Sequence, residues 1–181
     1  RARRVPSPNF GPRPEGAAVD LVVIHNISLP PGEFGGGYVE ALFTNRLDPA
    51  AHPYFATIAD VQVSAHFYVR RDGRVIQFVG CDQRAWHAGQ SCWCERDNCN
   101  DYSVGIELEG LEDHPFEAAQ YIRLSTLLRT LAQHYPIHQV AGHEHIAPGR
   151  KRDPGSAFDW RQLQILTTWP DQVFPWGQTQ A

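Results

Sequence analysis

Asp20-Leu21-Val22-Val23-Ile24-His25 is an almost unbroken run of β-branched and aliphatic residues. A short continuous apolar run of this kind predicts a central strand covered on both faces. It ends at His25-Asn26 and opens into Pro30-Pro31-Gly32-Glu33-Phe34-Gly35-Gly36-Gly37, which reads as loop. Residues 63–79 predict a hairpin. Val63, Ala65, Phe67 and Val69 would share one face and Ser64, His66 and Tyr68 the other, with a turn at Asp72-Gly73 and a return along 75–79. Ser103 to Glu109 alternates strictly, with Val104, Ile106 and Leu108 on one face and both glutamates, Glu107 and Glu109, on the other. From about Pro115 to His134 the period turns helical, with Tyr121, Leu124, Leu128, Leu131 and Tyr135 on one stripe. Pro115 suits the first turn and Pro136 ends the pattern. Residues 137–142 form a further short strand leading to His143, and a last helix follows Asp159 with Trp160, Leu163 and Leu166 inward. The order of elements predicts one α/β domain over 1–181. An extended arm (1–19, Pro- and Gly-rich over 6–17) precedes it, a tail (170–181) closes it, and residues 84–100 are irregular.

Composition narrows the class. With 42% apolar and 20% charged residues in 181, the chain holds enough apolar material for an ordinary core. A net charge of −4 argues against a nucleic-acid binder, which needs basic excess to neutralise phosphates. No apolar run reaches the length of a membrane span, and the basic start Arg1-Ala2-Arg3-Arg4 is not followed by the apolar stretch of a secretory leader. Of the four cysteines, Cys92, Cys94 and Cys99 crowd one segment, with Cys81 upstream. A domain with its own core does not need a disulfide framework, so free thiols in a loop are the expectation, with a disulfide or a metal as the alternatives.

Nine histidines raise the question of which converge. A catalytic zinc commonly takes three protein ligands from histidine and carboxylate and leaves a fourth position for water. His25, at a strand end, with His143 and Asp153 from one later segment, could supply such a set. No Glu-x-x-His or His-x-x-x-His pair makes the case locally, and most histidines in a chain of this size are surface or core residues.

Five segments go further: 23–36 around Val-Ile-His-Asn-Ile-Ser-Leu-Pro-Pro-Gly, Val63-Ser64-Ala65-His66-Phe67, Arg84-Ala85-Trp86-His87-Ala88-Gly89, Asn100 to Gly110, and Gly142 to Gly155. In this order, and from about Val5 to Trp160, the chain resembles the AmpD-type anhydro-N-acetylmuramoyl-L-alanine amidases, relatives of phage amidase lysozymes and peptidoglycan recognition proteins. The resemblance implies a mixed central sheet flanked by helices with a single zinc at its rim. His25, His143 and Asp153 match the zinc ligands, Glu107 the general base, Lys151 the cation near the developing oxyanion, and Asn26 and Trp86 the cleft lining. Glu109 shares the face of Glu107 and is the fallback. Arg150 and Arg152 either attract stem-peptide carboxylates or simply face solvent, His66 reads as structural or as a support behind a ligand, His87 as cleft wall and His145 as incidental. The implied activity is hydrolysis of the lactyl–L-alanine amide in anhydro-muropeptides by a monomeric, cytoplasmic bacterial enzyme of wall recycling, with no nucleic-acid or membrane partner. Two alternatives stand beside it. One is a periplasmic or phage-type amidase on intact murein; the other is a peptidoglycan-binding module without catalysis, disfavoured because every ligand position is filled.

Overall fold

The computed structural model describes residues 2–177. In chain order its strands are β1 (Arg3–Arg4), β2 (Phe10–Gly11), β3 (Leu21–Ile27), β4 (Phe67–Val69), β5 (Val75–Gln77), β6 (Arg84–Ala85), β7 (Cys92–Trp93), β8 (Arg96–Asp97), β9 (Ser103–Glu109) and β10 (Gln139–Gly142). The helices are α1 (Tyr38–Phe43), α2 (Pro53–Ala56), α3 (Ala118–Ala132), α4 (His143–Ile146) and α5 (Trp160–Thr167). Six strands make the main sheet in the order β1-β5-β4-β9-β3-β10. Only β4 and β5 run antiparallel; the other neighbours are parallel, so the sheet is mixed. Among the described residues no helix is long and apolar enough to cross a membrane.

The burial of β3 on both faces follows from its continuous apolar run. Val22 and Ile24 join one core with Val104, Ile106 and Leu108 of β9 and the α3 stripe Tyr121, Leu124, Leu128 and Leu131. Leu21 and Val23 point the other way, into a cluster with Ala88, Cys99, Tyr102 and Ala141. Leu163 of α5 is fully buried on the α3 side, with Trp160 and Leu166 packed against the same core. Helices therefore cover both faces, and β9 carries its apolar residues to one side and Ser103, Gly105, Glu107 and Glu109 to the other.

Several boundaries differ from the sequence reading. Helix α3 begins at Ala118, not at Pro115, because Gln120 Oε1 takes the Glu117 N–H at 3.0 Å and closes the first turn there. The hairpin forms, but its strands are short, and residues 63–66 leave the ladder. Ala65 and Val63 accordingly pack with Tyr68 rather than with Phe67 and Val69. The N-terminal segment is extended and also paired: β1 lies parallel to β5, and β2 pairs with β6. In the C-terminal segment Phe174 is fully buried in the main core, while 178–181 lie outside the described residues. The cysteine segment is a small ribbon of β7 and β8 whose Trp93 packs beside the third cluster and donates its indole N–H to Gln139 of edge strand β10. No disulfide joins the four cysteines.

Leu128 sits with no exposed surface between α3 and the sheet. Leu128→Ala is expected to lower the unfolding free energy by about 2–5 kcal/mol, the range for a large-to-small change in a tight core. Urea unfolding should show a lower midpoint at an unchanged slope.

Candidate active site

Three adjacent parallel strands end on the same edge, and each delivers a polar group there. His25 lies near the end of β3 and faces Glu107 of β9 in register. Gly142 ends β10 opposite Ile24, so His143 begins α4 one residue past the sheet. Asp153 comes from the following loop, whose carbonyl accepts the Glu144 N–H at 2.8 Å. Asn26 Nδ2 donates to Pro154 O at 3.0 Å, tying β3 to the same loop. A β-carbon on Gly142 would lie 2.7 Å from Pro154 Cδ, so only glycine lets this loop close on the strand end.

The result is a tight triangle. His25 Nδ1 lies 3.0 Å from His143 Nδ1 and 3.0 Å from Asp153 Oδ2, and His143 Nδ1 lies 3.1 Å from Asp153 Oδ2. His25, His143 and Asp153 form the group among the described residues whose donor atoms are close enough to share a metal ion. The other ring nitrogens are engaged elsewhere. His143 Nε2 donates to Ala88 O at 3.0 Å, and His25 Nε2 contacts His87 Nδ1 at 2.9 Å. Burial lowers the His25 pKa to about 4, with Asp153 opposing the shift, so the ring is neutral at pH 7. Two imidazole lone pairs and a carboxylate oxygen facing one another at 3 Å repel unless a cation or a proton lies between them; the donor set fits a divalent metal with N and O preference.

Glu107 and Glu109 share a face but not an environment. Glu107 is buried and its Oε2 has no hydrogen-bond partner. Burial pushes its carboxyl well above the ordinary carboxylate range; Asp153 adds to the push and the Lys151 charge opposes it. Glu109 is buried but satisfied, accepting from the Gly35 N–H at 2.6 Å and the Arg71 N–H at 3.0 Å, with Arg70 Nε at 3.8 Å. It fastens the glycine-rich loop to the sheet, with each carboxylate oxygen accepting a backbone N–H.

A cleft of 580 Å³ opens over the triangle. Trp86, Leu29, Tyr54, Ile58 and Val61 contribute apolar lining, and Asn26, Glu112, Lys151 and Arg152 polar lining. The basic run divides its duties. Arg150 Nη2 donates to Ala88 O and Gln90 O, at 2.7 and 2.5 Å, so its guanidinium holds a loop. Arg152 pairs with Glu112 at 3.2 Å on the surface, while Lys151 makes no ion pair among the described residues. His66 is wholly engaged in the fold, accepting from the Gly105 N–H and donating to Gln83 O. His145 accepts the Gly142 N–H at 2.9 Å and stands apart from the donor triangle.

The sequence reading missed one residue and part of what another does. His87, read as cleft wall, also touches a triangle residue. Asn100 Oδ1 accepts both the His87 and Ala88 N–H groups, at 3.0 and 2.8 Å, and so sets the dipeptide that meets His25 on one side and His143 on the other. Hydrogen bonds between loops have no period; the available signal was Gly105, a glycine inside an alternating strand, which marks a close approach.

Two histidines and an aspartate at the carboxyl ends of parallel strands, beside a buried carboxyl and under an open cleft, have the form of a metal-assisted hydrolase site. Residues 15–156 match the N-acetylmuramoyl-L-alanine amidase family model, and the chain belongs to that family. It is similar to the 1,6-anhydro-N-acetylmuramyl-L-alanine amidase AmpD of Escherichia coli strain K12, 52% identical over 169 residues covering 92% of each protein. The crystal structure of a selenomethionine AmpD derivative superposes with a TM-score of 0.88 at 52% identity, covering 91% of this chain and 93% of that one. The E. coli amidase AmiD, solved in complex with the substrate anhydro-N-acetylmuramic acid-L-Ala-D-γ-Glu-L-Lys, gives a TM-score of 0.60 at 32% identity, covering 88% of this chain and 63% of that one.

The two glutamates are expected to respond oppositely to removal of charge. Glu109→Gln exchanges a paired carboxylate for an amide and should lower stability by about 1–3 kcal/mol. Glu107→Gln removes a buried, unpartnered carboxyl and should leave stability equal or higher. Denaturant unfolding of the metal-free variants checks both signs.

Proposed function

We propose that this chain hydrolyses the amide between the lactyl group and L-alanine of anhydro-muropeptides, with one zinc ion held by His25, His143 and Asp153. The observation that carries the reading is the convergence of those three donor atoms at 3.0–3.1 Å beside the buried, unpartnered Glu107. The names of its relatives supply the substrate class: an anhydro-muramyl amidase at 52% identity and a complex of AmiD with an anhydro-muramoyl tripeptide.

Zinc bound there supplies a Lewis acid that polarises the scissile carbonyl and brings the pKa of a water to about 7. The chain's own residues do the rest. Glu107 takes a proton from the attacking water as the oxygen bonds to the lactyl carbonyl carbon, then delivers it to the alanine nitrogen as the C–N bond breaks. Burial raises the proton affinity of its carboxylate, which suits it to take that proton. Lys151, the unpaired cation of the cleft, neutralises the developing oxyanion. Trp86 offers an apolar wall to the sugar or lactyl group, and Asn26, besides bracing the Asp153 loop, lines the same cleft. A small glycopeptide substrate suits a cleft of this size, and the proposal includes a monomeric enzyme acting on recycled wall fragments in the bacterial cytoplasm.

Purified protein is expected to carry one zinc per chain and to release a free stem tripeptide from an anhydro-muramoyl tripeptide. Chelation should abolish turnover and added zinc restore it; zinc without cleavage would sink the substrate assignment. Glu107→Gln should retain zinc and lose turnover by about 10²–10⁴-fold, the usual contribution of a positioned acid–base group. Lys151→Ala should reduce kcat by about 10²–10³-fold if it faces the oxyanion, as loss of one such donor does elsewhere.

A further inference from the structure

His87 is buried, its ring meets His25, and nothing in the reaction above uses it. The polarity of its hydrogen bonds can be read from their far end. Ser103 Oγ lies 2.5 Å from Cys99 O; a carbonyl only accepts, so the serine hydroxyl donates there. Ser103 Oγ is then left to accept, and its other neighbour is His87 Nε2 at 3.2 Å, which must carry the hydrogen. The His87 ring is buried with no carboxylate among its hydrogen-bond partners, the setting of an uncharged imidazole, so it has one hydrogen and Nδ1 is a bare acceptor. At 2.9 Å that acceptor faces His25 Nε2, which therefore donates. Each step in the chain from Cys99 O to His25 has one possible direction, and its end product is a lone pair on His25 Nδ1, aimed at His143 and Asp153.

The backbone has made room for this ring. A β-carbon at Gly105 would lie 2.4 Å from His87 Cγ, so the strand between Ser103 and Glu107 gives up a side chain where the imidazole lies against it. Asn100 Oδ1 holds the His87 backbone from the other side. Seat, anchor and directed hydrogen bonds are all present for a group that reaches the substrate cleft only through its edge.

We infer that His87, directed by Ser103, is a positioning residue that fixes the tautomer and tilt of His25 for metal binding. The inference rests on the zinc site of the preceding section and concerns how that site is prepared rather than whether it exists. With His87 replaced by an apolar side chain, His25 Nε2–H loses its partner, and the ring is free to turn or to move its hydrogen to Nδ1. Either change removes one lone pair from the triangle. Loss of an outer partner of this kind typically lowers metal affinity by about 10–100-fold.

The test compares near-isosteric substitutions by competition with a chromophoric zinc chelator. His87→Leu is expected to weaken zinc binding by about 10–100-fold. His87→Asn, which puts an amide oxygen where Nδ1 sits, should stay close to wild type. Ser103→Ala, which touches no donor of the triangle, should fall between them. Thermal unfolding of the metal-free proteins is the structural control, since a histidine that only fills space would lower the midpoint in both His87 variants and leave their zinc affinities alike. Long-range ¹H–¹⁵N spectra of the zinc-loaded protein should show His87 neutral with its proton on Nε2. Equal zinc affinity for His87→Leu and wild type, or a proton on His87 Nδ1, overturns the inference while leaving the zinc site standing. Absence of zinc binding by wild-type protein removes both.

Discussion

Two imidazole nitrogens and a carboxylate oxygen are held about 3 Å apart at the end of the sheet, and with the tautomers inferred above no hydrogen of their own lies between them. That arrangement is repulsive by itself, so it exists only because the surrounding protein leaves those atoms no other orientation. The His143 proton is spent on Ala88 O, and the His25 ring is turned by its contact with His87. The Asp153 loop is held by Asn26 and by the Glu144 N–H. Much of what looks like incidental hydrogen bonding around the cleft serves this one constraint. Even Arg150, a natural candidate for substrate contact, is committed to the carbonyls of 88 and 90.

Strand β9 shows how one pattern can carry fold and chemistry together. Its apolar face, Val104, Ile106 and Leu108, fixes its place over α3. The opposite face reads Ser103, Gly105, Glu107 and Glu109, and each has a separate task. Ser103 orients an imidazole, Gly105 gives it space, Glu107 sits unpartnered under the cleft and Glu109 fastens a loop. A shift of one residue in register would exchange the faces and lose core and site at once.

The parts of this molecule that sequence revealed were those in which burial imposes a period. The β3 run, the β9 alternation and the α3 stripe were legible because each residue's side is dictated by a regular backbone. Residues 63–66 were assigned the wrong partners because that rule holds only inside a ladder; here Ser64 Oγ donates to Asn9 O and accepts the Trp86 N–H, and the chain bends away. The identities of His25, His143 and Asp153 came from motif resemblance, since spacings of 118 and 10 residues carry no geometric information. Parity could not separate Glu107 from Glu109, and what does so is a loop N–H group 74 residues away from Glu109.

The order of the chain along the sheet bears on how the protein comes into being. Synthesis delivers β3 and His25 early, but the neighbouring edge strand β10 and the two remaining donors belong to the last third of the sequence. A growing chain that has emerged as far as Gly142 holds one donor of three, with nothing to clamp an ion against. Parallel pairing of β3 with β10 joins segments more than a hundred residues apart, a non-local contact of the kind that forms slowly. The three donor atoms can therefore meet only once β10 and the segment after it have joined the sheet, so the site is a property of the finished domain and of no shorter stretch of it.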